Sequence, residues 1–311
     1  MNLKKYLPII GISIFIYILL KLDIYNVLKE ISKANINLLL IAIFLVFLTF
    51  ITQTLKWFSI ARVQTSKIGF LEAFKINLIS LFYGFITPSR VGAVIRAEYL
   101  KKYNDGKIGK GISNYVLDKM IDLCSLVLLA AIFSFVFREI LSNNYLYYAI
   151  LVFMLLVSLL IVFRSKERSK AILGIFYRKF VPEKIKLKLK GEFYSFYENM
   201  PKKRYFILFF LLNFLNWIVL YMSVFFVGLS LGIDVSFFYF LAIMPIATFV
   251  GQLPITISGL GTREAVLISL FGLAGVGATK IFSMSIISLL ISGILPSIIG
   301  IFLILRDKKR I

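Results

Sequence analysis

The chain has 311 residues, 60% of them hydrophobic and gathered in long blocks, and carries a formal charge of +21. Soluble domains run at roughly 45–50% apolar residues, so an ordinary soluble fold is excluded and a membrane protein is expected. With no histidine and one cysteine, Cys124, Ser-His and Cys-His nucleophilic chemistry, a disulfide framework and a multi-thiolate zinc site are excluded within the chain.

The first apolar run, Tyr6 to Leu20, follows Lys4 and Lys5 as a signal peptide would, but it meets Lys21 with no small-residue cleavage motif. It is expected to stay as an uncleaved span. Leu38 to Leu55 is the second span, and Lys56-Trp57 after it fits an interfacial anchor. Next comes the apolar run Ala73 to Thr87, set between the basic stretches Lys56 to Lys75 and Arg90 to Lys119. An apolar run whose two flanks belong on one side of the membrane is re-entrant, and irregular backbone at that depth is tolerated only where it lines a protein-enclosed cavity. Leu123 to Phe137 and Tyr145 to Phe163 are further spans, followed by residues 164–204 with thirteen Lys or Arg against four Glu. That segment reads as one or two amphipathic helices on the inner surface, with Ile172, Leu173, Phe176 and Phe180 at helical spacing before Pro182 and with Phe193, Phe196 and Tyr197 after it. Tyr205 to Leu231 is again a span. Phe237 to Ile257 and Ala265 to Val276 are two apolar runs broken at Pro254 and at Ser258-Gly259-Leu260-Gly261, and Ile281 to Leu305 closes the chain before a basic tail.

The positive-inside rule puts 164–204 in the cytoplasm and, counting outward, both termini as well. The charge is thus assigned to loop orientation, and no nucleic-acid partner is expected. The expected fold is an all-α polytopic integral membrane protein in one domain, with about six full spans and two broken or re-entrant segments. Residues 1–163 form the first half with its re-entrant segment at 71–100, 164–204 the linker, and 205–311 the second half with its broken segment at 236–277. Gly84 to Gly92 and Gly251 to Gly259 share one spacing, and Pro88 and Pro254 sit inside the two breaks. Gly/Pro-interrupted segments in corresponding halves, entered from opposite faces, predict an inverted repeat with the site between the halves.

Charged side chains at membrane depth are functional candidates. Arg90 and Arg96 flank the first break in Thr87-Pro88-Ser89-Arg90-Val91-Gly92. A guanidinium beside freed helix amides suits a phosphate diester; an ordinary positive-inside anchor is the alternative for both arginines. Asp118 and Asp122 are one turn apart at the expected start of a span, so they share a face while Lys119 points elsewhere. The helix dipole would favour Asp118 there, whereas Asp122 is read as an ion-pair partner of Arg90, Arg96 or Arg263 or as a proton carrier. Arg263 and Glu264 follow Gly259-Leu260-Gly261; as adjacent helical residues they are expected to need separate partners in a polar cavity. The fifteen acidic residues form no DxD motif, and no phosphate loop of the GxxxxGK[ST] kind is present, so no nucleotide, metal or other cofactor is expected.

Leu55-Lys56-Trp57, Thr87-Pro88-Ser89-Arg90-Val91-Gly92 with Arg96, Leu117-Asp118-Lys119 with Asp122, Leu253-Pro254 and Ser258-Gly259-Leu260-Gly261-Thr262-Arg263-Glu264, in this order, resemble the lysylphosphatidylglycerol synthase transmembrane-region family. Family members commonly carry an acidic residue where this chain has Ala93. The family includes the membrane half of multiple-peptide-resistance proteins, which is thought to flip lysyl-phosphatidylglycerol made by a cytoplasmic synthase domain. With Ile311 close after the last expected helix, the resemblance implies the membrane half without that domain.

The expectation is a translocase in the cell membrane acting on a phospholipid or lipid-linked substrate. Arg90, Arg96 and Arg263 would meet the headgroup while Asp118, Asp122 and Glu264 balance charge, and a headgroup bearing both a phosphate and a cation would use both signs. Two other roles compete: a transferase or membrane subunit in lipid or lipid-linked sugar modification, and a scaffold that docks a separate synthase through 164–204.

Overall fold

The structure, a computed structural model, describes residues 7–308 apart from 142, 181, 182, 255 and 257. Tyr6, Pro182, Ile257, the end of the basic tail and the side chains of Phe176 and Phe180 lie outside that description. Among the described residues the chain is helical throughout, without strands. In order the helices are α1 (Leu7–Leu22), α2 (Ile24–Ser32), α3 (Ile36–Val63), α4 (Phe70–Phe85), α5 (Arg96–Lys101), α6 (Ile108–Val136), α7 (Asn143–Arg164), α8 (Lys166–Phe180), α9 (Glu183–Tyr197), α10 (Lys203–Ser230), α11 (Phe237–Gly251), α12 (Thr262–Gly272), α13 (Ala278–Leu289) and α14 (Leu295–Lys308). A 3₁₀ turn, Val91–Ile95, leads into α5, and one π turn, Leu290–Ile294, joins α13 to α14.

Helix length separates two classes. Among the described residues, five helices are long and apolar enough to cross a membrane: α3, α6, α7, α10 and the joined α13–α14. At 1.5 Å per residue the 28 residues of α3 span about 42 Å, beyond a ~30 Å hydrocarbon core. By the same rise α4, with 16 residues, and α11, with 15, reach only about 24 and 22 Å, so neither crosses such a core alone. Their starts differ in chemistry: Ser236 accepts a hydrogen bond from the Tyr239 amide at the head of α11, whereas Gly69 before α4 has no side chain to cap with. The expected irregular run Ala73 to Thr87 is therefore mostly regular helix, with the irregular backbone confined to the turn after Phe85. Helix hydrogen bonds satisfy the backbone over that depth, so only a few groups need other partners.

Apolar faces decide what packs inward. α10 lies along α3, tied by Thr52 donating to Asn216 at 2.8 Å. The main core joins α10 to α11, α12 and α13 through rings such as Phe225, Phe240 and Phe271, with centroids 5.3 and 4.8 Å apart in edge-to-face contacts. α7 packs mainly on α6, and Tyr148, Leu151 and Met154 face outward, as a lipid-facing helix requires. The basic linker forms α8 and α9, and α9 packs against α6, with Glu192 accepting from the Gly109 amide at 2.6 Å and Glu198 pairing with Lys107 at 2.9 Å.

Candidate functional site

Two chain reversals build the site. After α4, the Thr87 hydroxyl donates to the Tyr83 carbonyl and accepts from the Gly92 amide, both at 2.8 Å. Ser89 and Arg90 take left-handed backbone, φ 53° and 56°, rare for side-chain-bearing residues. Gly92 then passes so close to α4 that a Cβ there would lie 2.1 Å from the Tyr83 carbonyl oxygen. The second reversal repeats this plan: Gly259, at φ 78°, crosses Gly251, and a Cβ on it would lie 2.7 Å from the Gly251 Cα. The Ser258 hydroxyl donates to the Phe85 carbonyl, so the two reversals touch.

Of the freed amides expected after Pro88, those of Arg90, Val91, Gly92 and Ala93 are not available to an anion. Gly92 N–H goes to Thr87, while those of Arg90, Val91 and Ala93 go to the carbonyls of Thr87, Pro88 and Arg90. The tight turn consumes them.

Around the junction lies a charged interior. Arg96, 3% exposed, pairs with Asp118 and packs against the rings of Trp57 and Tyr115, at 5.5 and 5.1 Å. Lys56 is not an interfacial anchor. It is 2% exposed and reaches Asp118 at 2.9 Å, Asp122 at 3.6 Å and Asn213 at 2.7 Å. The reason is that α3 continues to Val63, two turns beyond the expected end of the span, which leaves Lys56 inside the bundle. Arg96 is likewise no surface anchor. Lys119 does not point away either: it sits 3.6 Å from Asp122 and donates to Gln252 beside the second break. Asp118 owes nothing to a helix dipole, because α6 starts at Ile108, nearly three turns earlier. Asp122 pairs with the two lysines rather than with an arginine.

At the second break Glu264 is 2% exposed. Its Oε2 accepts from the Gly261 amide at 2.6 Å, and its Oε1 accepts from Arg263 at 3.0 Å and from Ser285 at 2.7 Å. Arg263 also donates to Ser285 at 2.8 Å. The two adjacent residues thus pair with each other, contrary to expectation, because in the first turn of α12 Glu264 folds back toward Gly261 and the long Arg263 side chain follows it.

Two interior cavities, of about 130 and 60 Å³, adjoin these groups and share Arg90, Trp217, Leu220, Gln252 and Ser292 in their walls. Of the residues singled out from sequence, Arg90, Arg96, Asp118, Asp122 and Arg263 line them, whereas Thr87, Gly92, Gly259, Gly261 and Glu264 shape the breaks behind; Pro88 and Pro254 lie exposed in the turns. Arg90 is exposed into this interior space, and among the described residues it makes no hydrogen bond or ion pair, with Arg263 and Asp122 near enough to act on it electrostatically. Lys56, Lys119, Asn213, Gln252, Trp217 and Ser285 were not singled out from sequence for this site. A polar residue inside an apolar run, as Lys56 and Asn213 are, was the available signal. No described group of His, Cys, Asp or Glu side chains could hold a metal ion. A larger cavity of about 550 Å³ lies elsewhere, among α2 and the loops around Gly232 and Gly275. Two of its lysines are engaged, Lys33 with Glu30 at 2.9 Å and Lys280 with the Gly232 carbonyl at 3.2 Å, so roominess does not make it the stronger candidate.

Residues 8–300 match the family model for the lysylphosphatidylglycerol synthase TM region. The chain is also similar to UPF0104 membrane proteins of three archaea. It is 26% identical to that of Pyrococcus horikoshii, covering 99% of this chain and 98% of the relative. With those of Methanocaldococcus jannaschii and Methanothermobacter thermautotrophicus it shares 26% and 24%, over 98% and 95% of this chain and 95% and 93% of the relatives. A match over nearly the whole length, together with buried charge at both breaks, places this multi-pass membrane protein in the lysylphosphatidylglycerol synthase transmembrane-region family.

Proposed function

We propose that the protein is a lipid translocase whose two halves are related as inverted repeats and whose headgroup site is the charged interior where the two helix breaks meet. The observation that carries this reading is Arg90, a cation with no hydrogen bond or ion pair among the described residues, which lines both cavities between the two helix breaks. An unneutralised charge at such depth is costly unless water or a ligand joins it. The acyl chains stay in the bilayer while the headgroup passes between the breaks. Docking of a separate synthase through α8 and α9 is the weaker reading, since Glu192 of α9 and Glu198 just after it already hold this segment on the start of α6, at Gly109 and Lys107.

Leaflet exchange of headgroup-labelled lipids in vesicles holding only the purified chain tests the proposal. Headgroup-selective exchange that stops in Arg90→Ala and in Arg263→Ala is expected. Normal exchange in both variants removes the site, and no exchange of any lipid, with or without a proton gradient, removes the translocase.

A further inference from the structure

Resting on that reading, we infer that the site selects an acidic, phosphate-bearing headgroup and rejects one that carries an amine, such as an aminoacylated phospholipid.

The first argument is charge. Five cations, Lys56, Arg90, Arg96, Lys119 and Arg263, meet three carboxylates, Asp118, Asp122 and Glu264, so the interior holds an excess of two positive charges. An anionic ligand lowers that excess, and an ammonium raises it.

The second argument is occupancy. Each carboxylate that could greet an ammonium is already engaged by the protein's own donors. Asp118 holds Lys56 and Arg96, and Asp122 stands between Lys56 and Lys119. Glu264 holds Arg263, Ser285 and the Gly261 amide. A cationic headgroup would have to displace one of these and strand a buried cation.

The third argument is hydrogen bonding. Among the described residues of the cavity walls, Arg96 Nε and Trp217 Nε1 lack a hydrogen-bond partner, on residues only 3% and 4% exposed, and both are donors that cannot accept. Ser288, which can act either way, also lacks a partner. The Asp118 oxygen without a hydrogen bond is the one ion-paired to Lys56 at 2.9 Å. The Arg96 and Trp217 nitrogens lie beneath the cavity surface, and the donor a ligand meets first is the Arg90 guanidinium, to which a phosphate ester offers acceptors alone.

Binding decides this separately from transport. The chain has two tryptophans, Trp57 against Arg96 and Trp217 in both cavity walls, so intrinsic fluorescence reports on the site. The purified chain in phosphatidylcholine nanodiscs is titrated with short-chain phosphatidylglycerol, with its lysyl ester, and with inorganic phosphate. Phosphatidylglycerol is expected to bind at least about tenfold more tightly than the lysyl ester. Arg90→Gln should weaken phosphatidylglycerol by about tenfold while barely moving the lysyl ester, and Arg90→Glu should reverse the order. Equal or tighter binding of the lysyl ester to the unaltered chain overturns the inference, as does an unchanged order in Arg90→Glu. A full response to inorganic phosphate at the lipid's concentration overturns the lipid as the source of the phosphate. If the binding order holds but no lipid changes leaflet, translocation fails and the headgroup inference stands; if the lysyl ester exchanges fastest, translocation stands and the inference fails.

Discussion

Changing Asp118 to Asn removes one charge and almost no volume, so it isolates the electrostatics of the cluster. Its carboxylate joins Lys56, at 2.9 Å, to Arg96, and both cations are buried. Removing one member of a buried pair costs about 3–5 kcal/mol, because the remaining charge has lost both water and partner. Here the survivors keep some compensation: Lys56 retains Asp122 at 3.6 Å and Asn213 at 2.7 Å, and Arg96 retains the two aromatic faces. The loss should therefore fall near about 3 kcal/mol, the lower end of that range. Arg90→Gln removes a charge that has no ion pair among the described residues, and should leave stability unchanged or raise it. Equilibrium unfolding in mixed micelles of rising dodecyl sulfate fraction, followed by tryptophan fluorescence, compares the two. Adding Lys56→Met to Asp118→Asn should recover part of the loss, since the stranded ammonium goes with it. The reasoning is refuted if Asp118→Asn is neutral, or if Arg90→Gln is as damaging as Asp118→Asn.

Two further outcomes concern the turns and the linker. Gly259→Ala places a methyl 2.7 Å from the Gly251 Cα on a backbone with φ 78°, and should destabilise by about 2 kcal/mol or more, read as a lower unfolding midpoint in the same micelles. At the head of α6, the hydrogen bond from Lys107 holds the Glu198 carboxyl below its ordinary range, and Glu198 in turn raises Lys107. Because the folded carboxyl is the stronger acid, its contribution is full above the unfolded carboxylate range and is lost as pH falls through the lowered folded value. Because the Lys107 ammonium is the weaker acid when folded, its contribution is full below the unfolded lysine range and is lost as pH rises through the raised value. Hydrogen exchange of α9, corrected for intrinsic rate, should thus be flat from about pH 6 to 9 and rise in acid below about pH 4, and Glu198→Gln should abolish that acid dependence. A flat profile down to pH 3 would remove the clip.

The fold was legible where one-dimensional signals suffice. Long apolar blocks mark α3, α6, α7, α10 and α13–α14, and equal glycine spacing marks the two reversals. The partners within the site were less legible, for a physical reason. Lys56-Trp57 looked interfacial because charge and aromatic ring together mark a membrane boundary, yet that boundary is set by where α3 ends, and Val63 lies seven residues on. Asp118 looked like a helix-start acid because the apolar run starts at Leu123, whereas α6 begins in the polar stretch at Ile108. The pairing of Arg263 with Glu264 depends on how a first-turn side chain folds back, which residue spacing does not encode. Asn213 and Gln252 meet the lysines of the cluster only through tertiary packing between distant helices.

Lys56 has a history within the growing chain as well as a place in the finished one. It lies in a helix that must partition into lipid early in synthesis, when Asp118, Asp122 and Asn213 have yet to be made; Asn213 comes 157 residues later. A lysine at the centre of a span opposes insertion by about 2.5–3.5 kcal/mol. The twenty residues of α3 ahead of Lys56, fifteen of them apolar, can carry that penalty, with the ammonium snorkelling toward the headgroups before α6 supplies two carboxylates. Neutralisation of Lys56 therefore waits for the two carboxylates of α6, so the ion pairs that line the cavity also bind together parts of the chain made far apart in time.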